Sequence, residues 1–405
     1  MKSKTSFFLI FLLICLSTLY LVFALRTNTY FSLDDFALLN YLQNHTTFEM
    51  VTQFLSQGDI WGFKKILGYL NFSFIFKVFG VNPTAFMINN HLFHTGSIIL
   101  TFLISRYLTK DLSKSFFIAV LSNSLYLFYF SNIHEYLVTL LILLGVYTHL
   151  KFPKKTYLSI FFFILSLLTK EIAFTLPFLF LSLNIFLRRK TDLKPFFLIL
   201  ATFIFYQFFL GPTKTNLSLS HPYANRLSLV LILSNLKYYL PIWLPILSFT
   251  IPILFKKLNT LPLFMVSLLS LLPALLLVNR QETYYLYLPT FYFAIYLSII
   301  LPKFKLKTLP IFLLTFFLLG GRKILPPIAK QNFPNWQKVS IQNVINKVEN
   351  NLSEKEISLD DIYLERDAKL MLGSDTLNLF VNKTSSSGHK FVYNPDTQTV
   401  HILKE

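Results

Sequence analysis

From residue 6 to residue 320 the chain is a succession of apolar runs separated by loops in which the positive charge is concentrated. Crossing a hydrocarbon layer takes about 20 apolar residues as a helix, because only intrahelical hydrogen bonds satisfy the backbone there. The runs fall near 6–25, 86–108, 115–131, 133–150, 156–169, 171–187, 195–212, 236–255, 261–278, 284–301 and 308–320. They predict an all-α polytopic membrane protein of about eleven transmembrane helices. Composition agrees: with 54% hydrophobic and 14% charged residues, the chain carries more apolar surface than a soluble domain can hide.

The loops set an orientation. "TKDLSK", "KFPKK", "RRKTDLK", "FKKLN" and "PKFKLK" alternate with loops that lack such clusters, and basic loops stay on the cytoplasmic side. The N-terminus is therefore expected in the cytoplasm and the C-terminus outside. "MKSKTSFFLIFLLICLSTLYLVFAL" has no small-x-small cleavage site before Arg26, so it reads as an uncleaved signal anchor. Ile14 precedes the single cysteine, Cys15, where lipidation would need a small residue. One cysteine also excludes an intrachain disulfide framework. Most of the net charge of +18 sits in these loop clusters, which argues for the lipid bilayer as partner and against nucleic acid. Phe, Lys and Asn usage points to a bacterial plasma membrane.

Two segments fall outside this pattern. The first outer loop, 26–85, is too long for a connector. Within it "SLDDFALLNYLQNH" has apolar residues at helical spacing, and Ser32 with Asp35 fits a capping box. "DIWGFKKILGYLNFSFIFKVFG" reads as a second, interfacial amphipathic segment. From residue 322 the composition changes: an amphipathic helix, "NWQKVSIQNVINKVENNL", leads into short alternating strands such as "KFVYNP" and "TVHILKE". The expected division is a transmembrane domain over 1–321 and a small extracytoplasmic α+β appendix over 322–405.

Acids are scarce in the membrane portion, and their placement is uneven. Asp34, Asp35, Glu49, Asp59, Glu135, Glu171 and Glu282 all map to the outer side or to outer helix ends. Ionisable groups at membrane depth are costly and tend to line cavities or pair with one another, so a polar cavity on the outer face is expected. Nearby are "NNHLFH", with His91 and His94 on one helical face, and "SNIHEYL", with His134 and Glu135. "LLTKEIAFTLP" brings Lys170 and Glu171, and "NRQETYYLYLP" brings Arg280, Tyr284, Tyr285 and Tyr287.

In this order the acidic pair, "NHLFH", "HE", "KE" before "LP", and "YLYLP" resemble the GT-C glycosyltransferases that use polyprenyl-phosphate sugars. The closest likeness is to the protein O-mannosyltransferase and aminoarabinose transferase-like members, over roughly residues 6–320. The chain lacks the TPR repeats of some of these enzymes. It also lacks a basic-acidic pair after Glu135, and Tyr284 stands where an arginine is usual. The resemblance implies a GT-C-like fold and inverting transfer of a sugar from a polyprenyl-phosphate to an extracytoplasmic acceptor, a protein or a cell-envelope glycan or lipid. It implies Asp34 or Asp35 as the general base, since a carboxylate in reach of a hydroxyl suits that task. Lys170 and Arg280 become candidates for the donor phosphate, as cations stabilise a departing anion. His91, His94, His134, Glu135, Glu171 and Tyr285 complete the candidate substrate site.

Each residue also has a purely structural explanation. The aspartates can serve a helix N-terminus, Lys170 and Arg280 can snorkel, and Glu171 can be the ion-pair partner of Lys170. The histidines can bond between helices or, with acids, hold a divalent metal; no resident cofactor is specified. The rival functions are a transporter or flippase, which would carry charge at the bilayer midplane in paired halves, and a polysaccharide polymerase or ligase.

Overall fold

The computed structural model describes residues 2–27, 38–39, 41–42, 45–56, 65–80, 82–123, 133–190, 192–205, 230–237, 258–276, 283–301, 350, 356–358, 389–394 and 399–404. These are mostly helical. The elements are α1 Lys2–Thr27, α2 Thr47–Ser56, α3 Ile66–Phe79, α4 Pro83–Thr109, α5 Leu112–Asn123, α6 Ile133–Lys151, α7 Thr156–Leu167, α8 Leu176–Leu187 and α9 Lys194–Phe205. After them come α10 Leu261–Leu269, α11 Leu272–Leu275 and α12 Tyr287–Ile300. Among the described residues one helix, α6, is by length and composition long and apolar enough to cross a membrane. The expected spans 236–255 and 308–320 lie almost wholly outside the described residues, as do the Ser32–Asp35 box and most of the helix expected at 335–352.

Caps and prolines decide where the helices begin. Asn82 accepts a hydrogen bond from the Thr84 amide at 3.1 Å, satisfying one N–H left free at the start of α4, and Pro83 at its first position has no N–H to satisfy. Where the apolar pattern predicts a helix from residue 171, the chain instead makes a 3-10 turn, Glu171–Thr175, before α8. Pro177 sits in the first turn of α8, where a missing N–H costs least. The run at 261–278 divides into α10 and α11, with Pro262 and Pro273 in their first turns. A 3-10 turn, Thr283–Leu286, likewise precedes α12.

Short connections make the helices fold back on one another. Lys110 and Asp111 join α4 to α5, residues 152–155 join α6 to α7, and each pair is in extensive contact, as antiparallel neighbours are. Three of the basic loops, those at 109–114, 151–155 and 188–190, meet at one end of the bundle. There Arg189 donates to the Leu150 carbonyl at 3.1 Å and to the Tyr107 hydroxyl at 2.7 Å, and Lys114 donates to the Leu301 carbonyl. Lys110 and Arg188 take left-handed conformations at the C-terminal ends of α4 and α8, which places cations at the negative ends of two helix dipoles.

The central helix is α6, packed against α3, α4, α7, α8 and α12. Among the fully buried aromatics are Tyr136 of α6 itself, Phe102 of α4, and Tyr287, Tyr292 and Tyr296 of α12. Apolar side chains fill the interior, buried hydroxyls bond within their own helices, and further apolar side chains cover the outside. Buried Ser97, Thr101, Ser122 and Ser182 donate to carbonyls four residues back at 2.8–2.9 Å. Meanwhile Phe7 and Phe11 of α1, Phe161 of α7, Ile185 of α8 and Leu198 of α9 face outward.

Opposite the basic end, the described parts of the first loop form a separate apolar layer. Leu38, Leu39, Leu42, Met50, Ile66, Tyr69, Phe72 and Ile75 pack with Phe86 and Met87 of α4 and Ile133 of α6. A capping box starts α2: the Thr46 amide donates to Glu49 Oε2 at 2.7 Å and the Glu49 amide to Thr46 Oγ1 at 3.2 Å. Further along the chain, β1 Glu356–Ser358, β2 His389–Asn394 and β3 Thr399–Lys404 form an antiparallel sheet in the order β1-β3-β2, with Phe391 opposite Ile402. The strands expected from "KFVYNP" and "TVHILKE" are thus β2 and β3.

Candidate functional site at the capped end of the bundle

Three stretches of chain converge beneath the first-loop layer. Glu135 lies in the first turn of α6, where the helix dipole favours a carboxylate. Lys170 lies between α7 and the Glu171–Thr175 turn in an extended conformation, φ −162° and ψ 143°. Its ammonium forms an ion pair with the Glu135 carboxylate, and both residues are buried. The same ammonium stands 5.4 Å from the ring centre of Tyr285, in the turn before α12, within range of a cation–π attraction.

Behind the ion pair a second polar contact ties α4 to α12. His94 Nδ1 is 2.6 Å from the Tyr287 hydroxyl, and both side chains are fully buried. Tyr136 packs edge-on to the rings of both, with centroids 6.0 Å and 5.0 Å away. One turn deeper Tyr292 contacts Thr175, hydroxyl to hydroxyl, at 2.9 Å. Tyr285 and Tyr287 are therefore fixed by partners on two other elements.

His91 and His94, though three residues apart on α4, meet different neighbours. His91 Nε2 is 3.3 Å from Thr95 Oγ1, which in turn is 2.8 Å from Ser17 Oγ on α1. The shared face that their spacing suggests therefore divides between α1 and α12. His134 packs edge-on to Tyr69 of α3 at 4.6 Å, its Nδ1 buried and without a hydrogen-bond partner among the described residues. Glu171 is half-buried and is not the acid that pairs with Lys170.

The acidic pair Asp34 and Asp35, together with Arg280, lies outside the described residues. Among the described residues no three His, Cys, Asp or Glu side chains gather as metal ligands would. Sequence spacing does not single out the Tyr136–Tyr287 contact or the close approach of His134 to Gly68. The available signal for Gly68 was a lone glycine inside a helical run, "KKILGYLNF".

No protein-family model, curated protein or solved structure matches this chain.

Proposed function

We propose that this chain is a multi-pass membrane glycosyltransferase of the GT-C kind, moving a sugar from a polyprenyl-phosphate to an acceptor on the extracytoplasmic face. The observation that carries the proposal is the buried Lys170–Glu135 pair beside Tyr285, at the end of the bundle away from the basic loops and under the first-loop layer. An ammonium held this way is a cation kept ready in a place poor in water, where its attraction for an incoming phosphate is strongest. The large apolar side chains that face outward, with serines and threonines at helix contacts, support the membrane assignment, since lipid accepts apolar surface and small residues let membrane helices approach closely. By the positive-inside rule the basic end faces the cytoplasm.

In this mechanism Asp34 or Asp35 accepts the proton of the acceptor hydroxyl. The freed oxygen attacks the anomeric carbon from the face opposite the lipid phosphate. A new carbon–oxygen bond forms as the bond to the phosphate oxygen breaks, so the configuration inverts and polyprenyl-phosphate leaves with the bonding electrons. Lys170 stabilises that leaving anion, and Glu135 holds Lys170 in place until the donor arrives. Arg280 is the second candidate cation. His94, through Tyr287, keeps the segment carrying Tyr285 against Lys170. Leu38, which follows Asp35 by three residues in the sequence, belongs to the layer that covers this end. The linear order of the motifs favours the same chemistry.

The test is transfer from radiolabelled polyprenyl-phosphate sugars by the purified full-length protein and by Asp34→Asn and Asp35→Asn. Loss of transfer in one variant, with folded yield kept, identifies the base. Full transfer in both removes the aspartates from the mechanism. Movement of intact lipid-linked sugar across the bilayer without cleavage would establish the flippase reading instead.

A further inference from the structure

We infer that Gly68 is a positioning residue: its missing side chain seats the His134 ring and thereby registers the first-loop helix α3 over the Lys170–Glu135 pair. Glycine weakens a helix interior relative to alanine, so its presence there calls for a reason. Here the reason is close approach. A Cβ on Gly68 would lie 1.9 Å from His134 Nδ1, 2.4 Å from Cε1 and 2.9 Å from Cγ, so the imidazole rests directly against the α3 backbone. Tyr69, the next residue, closes on the same ring edge-on at 4.6 Å. The ring is buried, and among the described residues its Nδ1 finds no hydrogen-bond partner. The contact is therefore shaped by fit rather than by polar exchange.

A second contact fixes the start of α3. The Leu67 amide donates to the Leu168 carbonyl at 3.1 Å, a backbone bond between the first loop and the end of α7. Its place in sequence is what matters. His134 immediately precedes Glu135, and Leu168 stands two residues before Lys170. Each attachment of α3 thus lies next to one partner of the buried ion pair. Moving α3 by the width of a methyl group at Gly68 displaces the layer that covers both.

This inference rests on the proposed function only for its effect on transfer; the docking of α3 is measured separately. The probe is a thiol under the layer, Ile133→Cys, placed in full-length protein carrying Cys15→Ser, because Ile133 is 1% exposed and packs with α3 residues. Gly68→Ala is expected to raise the maleimide labelling rate at least about tenfold, the signature of local opening. Adding His134→Ala removes the ring that the new methyl group strikes. Labelling in the double variant is expected to return to within about threefold of the parent, the coupling that neighbouring residues show in a double-mutant cycle. An unchanged rate in Gly68→Ala overturns the inference. So does a double variant no better than Gly68→Ala alone, in labelling or in folded yield. If labelling behaves as expected while the parent transfers no sugar, the glycosyltransferase proposal fails and the seating of His134 on Gly68 stands.

Discussion

Lys170 pairs with Glu135, 35 residues away in sequence, and not with Glu171 beside it. The backbone explains the choice. Lys170 is extended, and in an extended segment adjacent side chains point to opposite sides. The lysine therefore turns inward to α6 while Glu171 opens the following turn. What looks in sequence like a local "KE" pair is a link between two helices.

Removing one partner of this pair should cost more than removing both. Lys170→Met leaves a buried carboxylate without a countercharge, a loss of about 3–5 kcal/mol, whereas replacing both charges is often close to neutral. Thermal unfolding in detergent should rank Lys170→Met and Glu135→Gln well below the parent, with the double variant Lys170→Met/Glu135→Gln recovering most of the difference. A double variant as unstable as the worse single one would show that the pair is not the unit described.

Tyr287→Phe deletes the hydroxyl that meets His94 Nδ1 at 2.6 Å. Stability should fall by about 1–3 kcal/mol, the cost of stranding a buried polar atom. Its influence on sugar transfer should appear mainly in the donor KM, because Tyr287 acts through the segment carrying Tyr285. A change confined to kcat would argue for direct chemistry by this tyrosine.

Sidedness can be read with single thiols in a Cys15→Ser background. Phe48, on the first-loop layer, and Lys154, in the connection between α6 and α7, are both exposed. An impermeant maleimide should label Phe48→Cys in intact cells and Lys154→Cys only after permeabilisation. The reverse result would invert the topology, and labelling of both without permeabilisation would remove the membrane assignment.

The parts of the fold written in short-range pattern were legible in the sequence. Apolar runs interrupted by basic loops foretold helices where α4, α6 and α7 lie and near the starts of α5 and α9, because length and charge act locally. The alternating residues around "KFVYNP" and "TVHILKE" foretold β2 and β3 for the same reason. Legibility ended where a contact depends on tertiary geometry. The turns at Glu171–Thr175 and Thr283–Leu286 open runs whose apolar pattern does not tell a 3-10 start from an α-helical one. The i, i+3 spacing of His91 and His94 suggested one shared task, yet the neighbouring helices draw them apart. In the first loop the capping box at Thr46–Glu49 satisfies the same rule as Ser32 and Asp35 and was equally legible.

Glu49 gives that box a pH dependence. Hydrogen bonds from the Thr46 amide and then its hydroxyl hold the Glu49 carboxyl below its usual value of 4.5. A carboxylate more acidic when folded adds stability above its unfolded pKa, and that contribution fades as pH falls through the folded value. Amide exchange in α2 should therefore quicken as pH drops below about 4.5 relative to Glu49→Gln, after correction for intrinsic exchange. Parallel pH profiles for the two proteins would assign the start of α2 to other contacts.

Sugar transfer by the paired variant Lys170→Met/Glu135→Gln addresses the proposed site most directly, because the substitution removes the ammonium without stranding a charge. The parent should transfer sugar from a polyprenyl-phosphate donor, and the folded double variant should lose at least about a hundredfold, the scale set by removing one electrostatic contact to a developing charge. Transfer by the double variant at the parent rate, or none by the parent from any polyprenyl-phosphate sugar, would contradict it.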